Sequence, residues 1–119
     1  MKSRILVIDD NEPLRNSLAR LLTRKGYEVI EAANGRIGLH CMSECKADLV
    51  VTDMMMPEMG GVETILALRR SYPGVKIIAL SGAEPYVKIA RAVGSHKAMR
   101  KPLEPDEFLD AVRELAAME

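Results

Sequence analysis

Five short runs of β-branched and aliphatic residues recur along the chain, each followed by a longer stretch whose apolar residues return every three or four positions. That alternation constrains the fold more than any other feature, because strands separated by single helices pair in parallel through right-handed crossovers. The pattern predicts an α/β (βα)5 doubly wound sheet. The first strand is Arg4 to Ile8, apolar after Arg4, as suits a strand covered on both faces. A helix with Leu14, Leu18, Leu21 and Leu22 follows and stops at Gly26. Tyr27 to Glu31 is a shorter, more polar strand nearer an edge. Asn34-Gly35 reads as a turn before a helix with Ile37, Leu39, Cys41 and Met42.

The second half repeats the scheme. Leu49 to Thr52 is the third strand, and a loop with Pro57, Gly60 and Gly61 leads to a helix carrying Val62, Ile65, Leu66 and Leu68, ended by Tyr72-Pro73-Gly74. Val75 to Leu80 is the fourth strand, a helix runs near Pro85 to Val93, and Lys97 to Arg100 is a weak fifth strand. The last helix holds Phe108, Leu109, Val112 and Leu115, with Pro105 in its first turn, where a missing N–H is harmless. No linker or repeat interrupts the chain, so residues 1–119 read as one domain.

Composition narrows the function. Seventeen basic and seventeen acidic side chains balance to zero, which argues against direct binding of nucleic acid or an anionic membrane by this domain. The aromatics are Tyr27, Tyr72, Tyr86 and Phe108, without tryptophan, and make no stacking platform. No apolar run approaches the roughly 18 residues of a membrane span, and Asp9-Asp10 ends the first one too early for a signal peptide. A cytoplasmic location follows. Cys41 and Cys45, beside His40, are spaced unlike any standard zinc site and read as reduced, partly buried thiols.

Ligands of such a sheet bind beyond the carboxyl ends of its strands. Those ends carry Asp9-Asp10, Asp53, Ser81 and Lys101-Pro102. Each has a plain structural role available: Asp9 or Asn11 could cap the first helix, Ser81-Gly82 could form a turn, and a lone lysine is usually a solvated charge. Their convergence outweighs those roles. The Met54 to Met56 run suggests soft-metal binding, but consecutive side chains scatter, and packing is the better reading.

The set resembles the receiver domain of two-component response regulators, over about Arg4 to Ala116. The resemblance rests on Asp9-Asp10 after ILVI, on Asp53-Met54-Met55-Met56-Pro57-Glu58-Met59-Gly60-Gly61, on Ser81-Gly82-Ala83 and on Lys101-Pro102. It implies a flavodoxin-like sheet in the order 2-1-3-4-5. It also implies that Asp53 takes a phosphoryl group from a sensor histidine kinase or a histidine phosphotransfer protein. Mg²⁺ would be held by Asp10, Asp53 and the Met55 carbonyl, with Asp9 acting through water. Ser81 and Lys101 would bind phosphoryl oxygens, the peptide before Pro102 would be cis, and a homodimer could form through the fourth helix, fifth strand and fifth helix.

The chain departs from the family pattern in three places. Ala98 stands where receivers commonly have a Tyr or Phe that reports the movement of the Ser/Thr hydroxyl, leaving Tyr86 or the Ser81 to Tyr86 loop to report it. Met55 and Ala83 occupy the positions that line the path of the hydrolytic water, and neither can orient a water by hydrogen bonding. Leu103 replaces a common aromatic with little consequence. Two other functions compete: a phosphorylation-independent interaction module, favoured by Ala98, and a haloacid-dehalogenase-type phosphatase, opposed by the lack of an acid two residues after Asp53.

Overall fold

Parallel pairing organises all five strands. The computed structural model describes residues 2–56 and 59–118, so Pro57 and Glu58 of the sequence motif lie outside it. The elements follow as β1 (Arg4–Ile8), α1 (Glu12–Arg24), β2 (Glu28–Ala32), α2 (Gly35–Glu44), β3 (Leu49–Asp53), α3 (Gly61–Ser71), β4 (Lys76–Ser81), α4 (Glu84–Ala92), β5 (Lys97–Arg100) and α5 (Pro105–Ala116). The sheet order is β2-β1-β3-β4-β5, as expected. Because β1 pairs with both β2 and β3, the chain reverses its direction of winding there, opening a crevice at the carboxyl end.

Strand alternation divides the core into two layers. Ile5, Val7, Leu49, Val51, Ile78 and Leu80 pack with α1 and α5 through Leu18, Leu22, Phe108 and Val112. Leu6, Ile8, Val50, Ile77 and Ala79 pack on the opposite layer with Met42, Ile65, Leu68 and Ala90, from α2, α3 and α4. Ile5 to Ile8 of β1 and all of β3 are essentially inaccessible on both faces, whereas β2 and β5 are edges with half-exposed side chains.

Local boundaries differ from the sequence expectations by one or two residues, for identifiable reasons. The Tyr27 N–H donates to the Leu22 carbonyl and closes α1, so β2 begins at Glu28 rather than Tyr27. The Val75 N–H closes the turn after α3 onto Tyr72, so β4 begins at Lys76 and runs through Ser81. β3 continues to Asp53, in register with Leu80, and α4 occupies Glu84–Ala92. No separate turn forms at Asn34-Gly35: the Asn34 side chain accepts from the Ile37 N–H, and the helix starts at Gly35. Of the two candidates at α1 it is Asn11 that caps, accepting from the Leu14 N–H at 3.1 Å.

Gly61 opens α3 where its backbone crosses β3's exit. A Cβ there would lie 2.6 Å from the Met54 Cα and 2.8 Å from the Asp53 carbonyl oxygen, so any larger residue displaces the segment holding Asp53.

The β4–β5 edge is secured by a side chain. The His96 N–H donates to the Ile77 carbonyl at 2.8 Å, and the Ile77 N–H returns a bond to His96 Nδ1 at 3.1 Å. An acceptor Nδ1 requires the neutral ring. Burial, then the charges of Arg69 and Lys76, hold the His96 pKa below its ordinary 6.5. Because the unfolded chain binds this proton more readily, stability is complete above about pH 6.5 and falls as pH drops through the folded-state pKa. Thermal unfolding followed down to about pH 5 is expected to show a shallower loss of Tm in His96→Asn, which keeps an acceptor without titrating; parallel profiles would exclude His96 as the cause.

Candidate functional site

The carboxyl ends of β1, β3 and β5 turn the same parity of side chain toward one point. Val7, Val51 and Met99 all pack on the α1/α5 layer, so Asp9, Asp53 and Lys101, each two residues on, emerge on that side. The ladder continues past the strands to hold them: the Asp9 N–H donates to Ala32, the Met54 N–H to Leu80 and the Lys101 N–H to Ser81. Lys101 Nζ lies 3.0 Å from Asp53 Oδ1 and 3.3 Å from Asp9 Oδ2. The Asp9 and Asp53 side chains are buried, while Asp10 is exposed beside them.

Carboxylate oxygens of Asp9, Asp10 and Asp53 all come within 4.8 Å of one another, the one such cluster among the described residues. Three carboxylates against one ammonium leave two negative charges uncompensated. Burial raises the Asp53 pKa; the Lys101 hydrogen bond and charge pull it back, Asp9 and Asp10 push it up, and the net shift is upward. Burial disfavours the Lys101 ammonium, yet its bonds and attraction to Asp53 and Asp9 more than offset that, and its pKa rises. An all-oxygen, overly acidic cluster with one exposed member matches the donor chemistry of a hard divalent cation that keeps some of its water.

The remaining expected residues lie at the ends of β3, β4 and β5 or on the loops that follow them. Ser81 is buried at the end of β4, its hydroxyl 3.1 Å from both the Ala83 N–H and the Ala83 carbonyl. Ser81 thus forms the turn at the carboxyl end of β4. Ala83 precedes α4 and supplies no side-chain cap. Met55 is exposed on the loop after β3, whereas Met54 and Met56 pack on the same α2/α3/α4 core layer, so the three methionines do not converge on one point. The Lys101–Pro102 peptide is cis. Cys41 and Cys45 are free, half-buried thiols on and just after α2, away from the acidic cluster, and His40 pairs with Glu44.

Arg15 is a contributor that sequence reasoning missed. From the first turns of α1 its guanidinium donates to the Asp9 carbonyl at 2.8 Å and pairs with Glu31 at 3.2 Å, tying the acidic loop to the end of β2. The available signal was a basic residue placed between the core positions Leu14 and Leu18, one turn after the acidic pair.

Residues 5–113 match the family described as the response regulator receiver domain. The chain belongs to that family. It is 33% identical over 119 residues to the chemotaxis protein CheY of Thermotoga maritima, covering 98% of this chain and 99% of that protein. It is 32% identical over 110 residues to the transcriptional regulatory protein GlrR of Escherichia coli, but spans only 25% of that longer protein. Among solved structures, the chemotaxis response regulator CheY4 of Vibrio cholerae superposes with a TM-score of 0.90 at 28% identity, over 97% of this chain and 99% of that one. This receiver's strand order and helix placement are those of the two-component receiver fold. No helix among the described residues is long and apolar enough to cross a membrane.

If the acidic cluster holds Mg²⁺, the ion stabilises the folded chain by mass action. At a concentration about ten times its Kd the gain is about 1.4 kcal/mol, a rise of a few degrees in Tm. Differential scanning fluorimetry is expected to show that rise, its reversal by chelator, and its loss in Asp10→Asn, whose exposed position makes the substitution mild.

Proposed function

We propose that Asp53 of this receiver accepts a phosphoryl group from a phosphohistidine on a sensor histidine kinase or a histidine phosphotransfer protein. The observation that carries the reading is the Lys101 ammonium lodged between Asp53 and Asp9 at the carboxyl edge of the sheet. An Asp53 carboxylate oxygen attacks phosphorus in line, the P–N bond to the partner's imidazole breaks, and the imidazole leaves with a proton. A carboxylate is a weak nucleophile, so the site's contribution is alignment and charge neutralisation. Lys101 is already within reach of Asp53, and the Ser81 hydroxyl can meet another phosphoryl oxygen after leaving Ala83.

Asp10, Asp53 and the Met55 carbonyl would hold Mg²⁺, with Asp9 acting through water. The ion would supply neutralisation of the equatorial phosphoryl oxygens. Arg15 keeps the Asp9 backbone in place, and the buried Asp9 and Asp53 carboxylates lose little orientation to solvent.

An apolar groove of about 440 Å³ between α1 and the start of α5, lined in part by Leu14, Leu21, Pro102, Leu103 and Phe108, adjoins Lys101 and suits the approach of the phosphohistidine-bearing helices. A second groove, across α4, β5 and α5, is lined by Arg91, Glu107 and Asp110 beside the Lys97–Glu114 ion pair of 3.1 Å, a polar surface that fits a homodimer or a downstream target. The whole of residues 1–119 serves as one such domain in the cytoplasm, without direct contact to nucleic acid or membrane.

The test is incubation with Mg²⁺ and acetyl phosphate followed by intact-mass measurement. A base-labile gain of one phosphoryl group, lost in Asp53→Asn, is expected. No adduct, or one that survives that substitution, would favour the phosphorylation-independent interaction module that Ala98 makes the second reading.

Met55 and Ala83 carry no group able to orient a hydrolytic water, so the aspartyl phosphate is long-lived. Introducing Met55→Asn with Ala83→Glu should shorten its lifetime about tenfold, a small share of what positioned proton-transfer groups supply. An unchanged decay of the phosphorylated mass would refute that role.

A further inference from the structure

Arg100 is the cross-strand partner of Ser81. The two residues are in register between β5 and β4, as Ala98 is with Ala79 two residues earlier. Ala79 and Ala98 both pack on the α2/α3/α4 layer, so Ser81 and Arg100 emerge side by side toward the start of α4. There the Arg100 guanidinium spans two points of the same loop, Nη2 donating to the Gly82 carbonyl at 3.3 Å and Nη1 pairing with Glu84 Oε2 at 3.4 Å. The Ser81 hydroxyl holds the intervening residue through the Ala83 N–H.

The loop from Ser81 to Glu84 is thus fastened from both sides. At the entrance of α4 the N-cap, Ala83, makes no side-chain cap bond that could take over either fastening. To donate to a phosphoryl oxygen on Asp53 the Ser81 hydroxyl has to give up its bond to the Ala83 carbonyl, and the loop follows that turn less readily while Gly82 and Glu84 stay tied to β5. We infer that Arg100 is a positioning residue for Ser81, a latch that holds the loop from Ser81 to Glu84 in its unphosphorylated arrangement and couples its release to α4. The inference rests on Asp53 being the phosphoryl acceptor. It places the link between β5 and α4 at position 100, where the small Ala98 side chain cannot reach the loop.

Sign makes the latch testable. Arg100 is a cation near a site that binds an anion, so loss of its charge alone would weaken binding of a phosphoryl analogue. Loss of a latch strengthens it, because the loop no longer has to be released. The measurement is the affinity of the full chain for beryllofluoride with Mg²⁺, read by NMR at the Gly82 and Glu84 amides. Arg100→Ala is expected to bind about two- to fivefold tighter than the unaltered chain, the size that a bridge between half-exposed groups supports. Its unliganded Gly82 and Glu84 amide shifts should move part of the way toward their bound positions, which simple damage to the fold would not produce. Glu84→Ala should move both readouts the same way by less, and the double variant should not exceed Arg100→Ala. Unchanged or weaker binding by Arg100→Ala, static amide shifts, or additive effects in the double variant would overturn the latch and leave the acceptor role standing. Failure of the unaltered chain to bind beryllofluoride at all would instead overturn the acceptor role, and the latch with it.

Discussion

In a parallel sheet covered on both faces, every strand residue is committed to one helical layer or the other, and each side chain at the strand ends inherits that commitment. Here the commitment puts Asp9, Asp53 and Lys101 on the α1/α5 side and Ser81 and Arg100 on the α4 side. One set makes the charged centre, and the other faces the loop that leads into α4. Slipping β5 by one residue against β4 would exchange the two sets, placing Arg100 near the carboxylates and Lys101 at the loop. The ladder bond from the Lys101 N–H to the Ser81 carbonyl is therefore as much a part of the site as the lysine's own contacts.

The charged centre is a local departure from an electrically balanced chain. Two buried carboxylates and an exposed third repel one another, and a single ammonium compensates only part of that repulsion. Such an arrangement persists because the surrounding structure over-determines it. β1 and β3 are deeply buried beyond Arg4, Asn11 caps α1 immediately after the acidic pair, and Arg15 pins the Asp9 carbonyl. The same stiffness would serve the phosphoryl transfer proposed for this site, where catalysis comes mainly from charges that are already in position when the substrate arrives.

Most of the architecture could be read from the chain because the two periodicities rarely conflict. The unbroken apolar runs at Ile5 to Ile8 and Leu49 to Val51 have no amphipathic alternative, and the leucines of α1 repeat with a helical period. Errors gathered where a backbone group could serve either of two elements. Tyr27 has a strand-forming side chain, but its N–H closes α1; Asn34-Gly35 has the composition of a turn, but the Asn34 side chain caps a helix. Arg15 and Arg100 escaped notice for a different reason. A single arginine is usually a solvated charge; the place of Arg15 between Leu14 and Leu18 was a faint signal, and the neighbours of Arg100 reveal nothing of the backbone carbonyl it bonds elsewhere in the chain.

The sequence by itself determined the order of strands and helices, the parallel sheet and the kinds of side chain delivered to its carboxyl edge, because these follow from local periodicity and from short connections that leave few topologies open. Only the tertiary structure decided which of those side chains meet. Lys101 touches Asp9 across 92 positions of chain, and Arg100 reaches Gly82 and Glu84 across 18 and 16. Contacts of that separation depend on register, strand parity and the direction in which each loop leaves the sheet, and these are settled only when the whole core packs at once.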